Sequence, residues 1–123
     1  MDDSDTRVAD LKDMVKKFSV ERDWDQFHNA KDLAIGIVTE ASELLEMFRF
    51  KSEREVESIL KDPKTAREVQ DELADVFYFA LRLAQKYGID VSTALRKKID
   101  ENARKYPVRR AKGSNKKYTE LDP

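Results

Sequence analysis

Four carboxylates at a repeated spacing stand out as groups that could do chemistry: Glu40 with Glu43, and Glu72 with Asp75. On a helix, residues three apart lie on one face, so each pair aims two anions the same way. If the two helices pack side by side, all four converge, and at an effective dielectric of ~20 each close pair at ~4 Å repels by about 4 kcal/mol. Something positive must then sit between them. An all-oxygen donor set suits Mg²⁺, with Mn²⁺ as a substitute, and such an ion is shared with substrate phosphates rather than caged by protein.

Charged residues make up 40% of the chain, so ordinary solvated acids are the competing explanation, and the neighbours of these four argue against it. A surface Glu is commonly supported by Lys or Arg four residues on. The positions four beyond Glu40, Glu43, Glu72 and Asp75 are Leu44, Met47, Val76 and Phe79. Elsewhere Glu57/Lys61, Lys64/Glu68 and Arg67/Asp71 supply the usual opposite-charge spacing. One face of the first helix reads Gly36, Glu40, Glu43, Met47, Phe50, and one face of the second reads Glu72, Asp75, Phe79, Leu83. Acids in such apolar stripes are expected to be buried.

A second concentration of chemistry precedes the first acid-bearing helix. The segment Glu21-Arg22-Asp23-Trp24-Asp25-Gln26-Phe27-His28-Asn29 breaks helical periodicity and crowds Trp24, Phe27 and the chain's single histidine together. It reads as a loop that either plugs the core or recognises a ligand.

The elements that must position these groups are helices. Val8, Leu11, Met14, Val15 and Phe18 recur at three- and four-residue steps from Ser4 to about Arg22, with Ser4 or Asp5 as cap. Asn29 caps, with Asp32 at N3, a long helix running to about Phe50, whose wide apolar surface calls for more than one partner helix, within the subunit or across a dimer. Ser52-x-x-Glu55 is a capping box opening a short helix that stops near Asp62-Pro63. Pro63 then begins the helix that ends at Tyr87-Gly88, and Asp90 caps a last one stopped by Tyr106-Pro107. Residues 108–123 carry Arg109-Arg110-x-Lys112 and Lys116-Lys117-Tyr118 without periodicity and read as an extended tail. The expectation is an all-α, four-helix-bundle-like fold with a short extra helix, in a single domain over residues 1–123: a helical core at about 4–106 and a tail at 107–123.

Composition narrows the function. A length of 123 residues fits one modest core. Without cysteine there is no disulfide framework and no thiolate metal site. With 24 basic and 25 acidic residues the chain lacks the basic excess of a nucleic-acid binder. Three Gly leave no phosphate-cradling Gly-rich loop, so phosphate chemistry would fall to side chains and metal. The N-terminus is acidic where a signal peptide is basic then apolar, and no apolar run approaches the ~20 residues of a membrane span. A soluble, cytoplasmic protein is expected.

Glu40/Glu43 followed by Glu72/Asp75 resembles the ExxE…ExxD signature of the MazG-like all-α nucleoside triphosphate pyrophosphohydrolases. Arg22-Asp23-Trp24-Asp25-Gln26-Phe27-His28, Glu72-Leu73-Ala74-Asp75-Val76, Lys98-x-x-x-Asn102 and Lys117-Tyr118-Thr119-Glu120-Leu121 are similar to the dCTP pyrophosphatase branch, over roughly residues 7–121. The resemblance implies Mg²⁺-dependent hydrolysis of a (deoxy)nucleoside triphosphate, dCTP or a related or modified dNTP, to the monophosphate and pyrophosphate. Water attacks the α-phosphorus while Glu40, Glu43, Glu72 and Asp75 hold the metal. It further implies base and sugar contacts from Trp24, Phe27, His28, Phe50 and Phe79, phosphate contacts from Lys98 and Asn102, and a homodimer or homotetramer. Where close relatives of that branch carry a His on the first helix, a Trp after the first acid helix and a Tyr after the second, this chain has Val15, Phe50 and Phe79. Stacking survives these changes but two polar contacts do not, which leaves dUTP, dATP or an abnormal nucleotide as rival substrates. The competing readings are a non-catalytic helical interaction module and a hydrolase of another pyrophosphate such as phosphoribosyl-ATP.

Overall fold

Most helix ends fall where the capping residues put them. The computed structural model describes residues 1–123 and contains α1 (Val8–Glu21), α2 (Ala30–Glu46), α3 (Glu53–Lys61), α4 (Pro63–Lys86), α5 (Val91–Lys105) and α6 (Val108–Ala111), with 3₁₀ turns at Asp25–Phe27 and Tyr118–Glu120 and no strand. The fold is all-α, as the periodicity predicts. Asn29 Oδ1 accepts from the Asp32 N–H at 2.8 Å to start α2. Ser52 and Glu55 exchange both bonds of the capping box at 3.2 and 3.3 Å to start α3. Asp62 accepts from the Lys64 N–H with Pro63 at the first helical position. Gly88 takes φ +64°, which lets the Ile89 N–H reach back to the Ala84 carbonyl at 2.8 Å and closes α4.

Three boundaries differ from expectation. Ser4 does not cap α1, because Asp2 captures it: Asp2 Oδ1 accepts from both the Ser4 N–H (2.9 Å) and its hydroxyl (2.6 Å). The helix starts four residues later, where Asp10 Oδ2 accepts from the Arg7 N–H at 2.9 Å. Helix α2 stops at Glu46 rather than Phe50; residues 47–50 form a turn that leaves Phe50 at φ +63°. The tail at 107–123 is not wholly extended, since Pro107 initiates the single turn of α6 and Lys117 precedes a 3₁₀ turn.

The chain divides into two compact units, Met1–Ile89 and Asp90–Pro123. In the first, the 24-residue α4 is the common partner of α1, α2 and α3. Its pairing with α2 is the most extensive and brings the two acid-bearing segments side by side. Gly36 allows that approach, because a Cβ at this position would lie within 2.7 Å of three ring carbons of Phe79. Leu33 and Ala84 are fully buried apolar residues at the centre, joined by two buried polar ones, Ser19 and Arg82. In the second unit, Lys105 lies over the Tyr118 ring, which also packs edge-on against Tyr106. No helix is long and apolar enough to cross a membrane.

Candidate functional site

Residues three apart on a helix differ by about 60° around its axis, so neither pair can point both acids straight at the neighbouring helix. One acid of each pair therefore takes the inner position: Glu40 and Glu72 are half-buried, whereas Glu43 and Asp75 are exposed. This corrects the expectation that all four are buried. Carboxylate oxygens of Glu40, Glu43 and Glu72 lie within 4.8 Å of one another. Asp75, one turn beyond Glu72, stands outside that group and instead lines the adjacent pocket.

Two oxygens, Glu40 Oε2 and Glu72 Oε2, are sealed from solvent without a hydrogen-bond partner, and a sealed acceptor lacking a partner is costly. Burial, followed by the Glu43 carboxylate and then Asp75 and Glu72, pushes the Glu40 carboxyl up to about 7. Burial and the facing Glu43 raise Glu72 in the same sense. Orphaned acceptors, mutual repulsion and an oxygen-only donor set are what a hard divalent cation relieves. The residues present fit a metal.

The aromatic loop is attached to this cluster through α1 and α4. Helix α1 ends with Asp23 at φ +55°, a left-handed position that Asp tolerates better than most residues. The Trp24 N–H then bonds the Ser19 carbonyl and the Asp23 N–H the Val20 carbonyl, both at 3.0 Å. That reversal turns Trp24 into a pocket of about 460 Å³, lined by Met14, Val15, Phe18, Trp24, Asp75, Tyr78 and Phe79. Trp24 meets Phe18 edge-on at 5.6 Å, and Tyr78 does the same to Phe79 at 5.2 Å. The Tyr78 hydroxyl is engaged with Ser19 Oγ at 2.6 Å, and Ser19 in turn donates to the Val15 carbonyl at 2.7 Å. The lining is therefore apolar and aromatic, with Asp75 its one charged group.

Of the aromatic residues singled out from the sequence, Trp24 and Phe79 meet in this pocket. Phe27 is exposed outside it, and Phe50 is 90% exposed with the Arg49 guanidinium 4.6 Å from its ring centre. His28 is buried, its Nδ1 accepting from Arg82 Nε at 3.0 Å. Burial first, then the Arg82 and Lys86 cations, lowers its pKa. Arg82 and Lys86 also hold the Asp25 carboxyl below the usual carboxylate range. Lys98 and Asn102 lie on α5 in the second unit, where Lys98 pairs with Glu101 at 3.5 Å and the Asn102 carbonyl accepts from the Tyr106 N–H. Sequence reasoning took Met14 and Phe18 as core and missed Tyr78 and Arg82. The signal for Arg82 was an arginine between Leu81 and Leu83 on an apolar stretch of α4, with an acid available in the loop at Asp25.

Residues 35–121 match the MazG-like family. The chain is 38% identical over 114 residues to dCTP pyrophosphatase 1 of Rattus norvegicus, covering 93% of this chain and 67% of that protein. It is 37% identical over 114 residues to dCTP pyrophosphatase 1 of Homo sapiens, with the same coverage. Among solved structures, a pyrophosphatase from Archaeoglobus fulgidus superposes with a TM-score of 0.74 at 36% identity, covering 80% of this chain and 91% of that one.

Proposed function

The chain belongs to the MazG-like family and is a nucleoside triphosphate pyrophosphohydrolase; from that premise we propose that it hydrolyses dCTP, or a related or modified dNTP, to the monophosphate and pyrophosphate. The observation that carries this reading is the adjacency of two features on α4: Glu72 in the carboxylate cluster and, one turn on, Asp75 in the wall of the aromatic pocket. A base stacked on Trp24 and Phe79 would direct its triphosphate along α4 toward the acids.

Glu40, Glu43, Glu72 and Asp75 would hold the divalent cation, which we assign as Mg²⁺ with Mn²⁺ as substitute. When bound, it neutralises phosphate charge and lowers the pKa of a coordinated water. The chain's own residues supply the rest. Trp24 and Phe79 orient the base, the apolar pocket wall excludes water, and a carboxylate oxygen of the cluster takes the proton of the water that attacks the α-phosphorus. Lys98 and Asn102 are assigned to the phosphates, and Phe27, His28 and Phe50 to the base and sugar. With Val15 and Phe79 contributing no polar group, base selectivity rests mainly on stacking and shape. A panel of dCTP, dUTP, dATP and modified cytosine nucleotides, scored by kcat/KM and by product, tests this; release of orthophosphate as first product contradicts it.

We further propose that residues 1–123 form a single domain, with a helical core at about 4–106 and a tail at 107–123, and that the enzyme works in the cytoplasm as a homodimer or homotetramer. Ile35, Val38 and Leu45 on α2, and Leu73 and Phe77 on α4, are each about half exposed or more at helical spacing. Burying a side chain of this kind is worth roughly 1.5–3 kcal/mol, enough in sum to hold copies together. Light scattering should give the mass of two or four chains; a monomer at micromolar concentration contradicts the assembly.

A further inference from the structure

Arg82 has no part in the assignment above, yet its side chain is only 1% exposed. An arginine this deep requires its donors to be matched. Its Nε donates to His28 Nδ1 at 3.0 Å, and its two terminal nitrogens donate to Gln85 Oε1 and Asp25 Oδ1. Lys86 Nζ completes the set by donating to the Asp25 carbonyl at 2.8 Å. Asp25 and His28 bracket the 3₁₀ turn that follows Trp24, so this network pins both ends of that turn to α4.

The network also fixes a proton. A guanidinium carries donors only and stays charged, so the His28 nitrogen facing it must present a lone pair. The neutral ring then carries its one proton on Nε2. Nε2 has no partner within the chain, and it is not among the sealed partnerless atoms, which are the two glutamate oxygens, so part of its surface reaches solvent although the residue is only 9% exposed. The ring stands 6.5 Å from Trp24, edge-on.

We infer that Arg82 is a positioning residue for nucleotide recognition: it locks His28 as the Nε2–H tautomer, so that the ring offers the substrate a fixed hydrogen-bond donor beside Trp24. This rests on the aromatic pocket being the nucleotide site. The matching substrate group is an acceptor, either a base carbonyl or a sugar or phosphate oxygen.

The chain has one histidine, so ¹⁵N NMR of the ring in the full-length protein needs no assignment. At neutral pH, Nε2 should resonate as the protonated nitrogen and Nδ1 as the bare one. Averaged or reversed signals overturn the lock. Arg82→Lys keeps the charge but removes the N–H aimed at Nδ1, and should raise KM by roughly three- to tenfold, the size of one net hydrogen bond, with kcat little changed. His28→Ala should do the same, and the double variant should add nothing. A loss of melting temperature in Arg82→Lys with KM unchanged, or effects that multiply, makes Arg82 a strut only and overturns the inference. Should Arg82→Lys not fold, His28→Gln, whose amide reaches the Nε2 position, should keep KM nearer wild type than His28→Asn; equal KM values for both overturn the inference. An effect confined to pyrimidines identifies a base carbonyl, and a uniform one the sugar or phosphates. Failure of the wild type to hydrolyse any nucleotide overturns the underlying reading instead.

Discussion

Glu40→Gln should stabilise the metal-free protein at alkaline pH while removing its response to divalent metal. The Glu40 carboxyl is raised from 4.5 to about 7, first by burial and then by Glu43, Asp75 and Glu72. The native state therefore holds this proton more tightly than the unfolded chain does. Stability consequently falls as pH rises from 4.5 through about 7 and is level above. At about 1.4 kcal/mol per tenfold change in proton affinity the shift is worth about 3 kcal/mol, and solvent screening on the open Glu43 side brings this to about 1–2 kcal/mol. An amide carries no such penalty, so at pH 8 in EDTA the variant should melt roughly 3–8 °C above wild type. At pH 4, below the ordinary value of 4.5, Glu40 is protonated in the native state and mostly so in the unfolded chain, and the two should melt nearly together. Millimolar Mg²⁺, binding only the native cluster, should raise the wild-type Tm and leave the variant nearly unmoved. Circular-dichroism melts at both pH values, with EDTA or Mg²⁺, measure all four cases, and the difference between proteins cancels titrations elsewhere. A variant that melts no higher than wild type at pH 8 in EDTA, or equally above it at both pH values, refutes the reasoning.

Three further outcomes follow from the same geometry. Trp24→Ala should raise KM for every accepted nucleotide by roughly ten- to a hundredfold, the scale of base–aromatic stacking; a folded variant with normal KM removes the loop from the substrate site. Gly36→Ala forces the Phe79 ring aside, and overpacking of about 1–3 kcal/mol against at most ~1 kcal/mol of helix propensity should lower Tm and raise KM, whereas a higher Tm with unchanged KM contradicts the close approach. Because the His28 pKa is lowered by burial and the Arg82 and Lys86 cations, the unfolded chain takes up this proton first and stability is lost as pH falls below 6.5; melts of His28→Gln from pH 7 to 5.5 should lack that component, and an identical pH dependence in both proteins argues against a buried neutral ring.

Local signals in this chain were sufficient wherever a single residue type dictates a backbone bond. Asn29, the Ser52/Glu55 box, Pro63, Gly88 and Asp90 all act where the sequence puts them. The start of α1 was not legible, because Ser4 and Asp5 look like caps and only the competing Asp2 carboxylate diverts the chain. The i, i+3 acids announced a carboxylate cluster of a kind that could hold a cation, and three of the four meet in it. Their unequal burial depends on the crossing of α2 and α4, which spacing alone leaves open. Trp24 and Phe79, singled out from the sequence, line one pocket, but Tyr78 points its hydroxyl to Ser19 across a sequence separation that no local pattern encodes. Arg82 was the hardest to read, since its partners Asp25 and His28 lie more than fifty residues away on another element.

The central claim is that water attacks the α-phosphorus of a deoxynucleoside triphosphate at the carboxylate cluster. Hydrolysis of dCTP by the full-length enzyme with Mg²⁺ in ¹⁸O-water, followed by mass spectrometry of both products, tests it most directly. One ¹⁸O should appear in dCMP, with pyrophosphate unlabelled and both absent when Glu43→Gln replaces the wild type. Label in pyrophosphate with dCMP unlabelled, or orthophosphate as the first product, contradicts it.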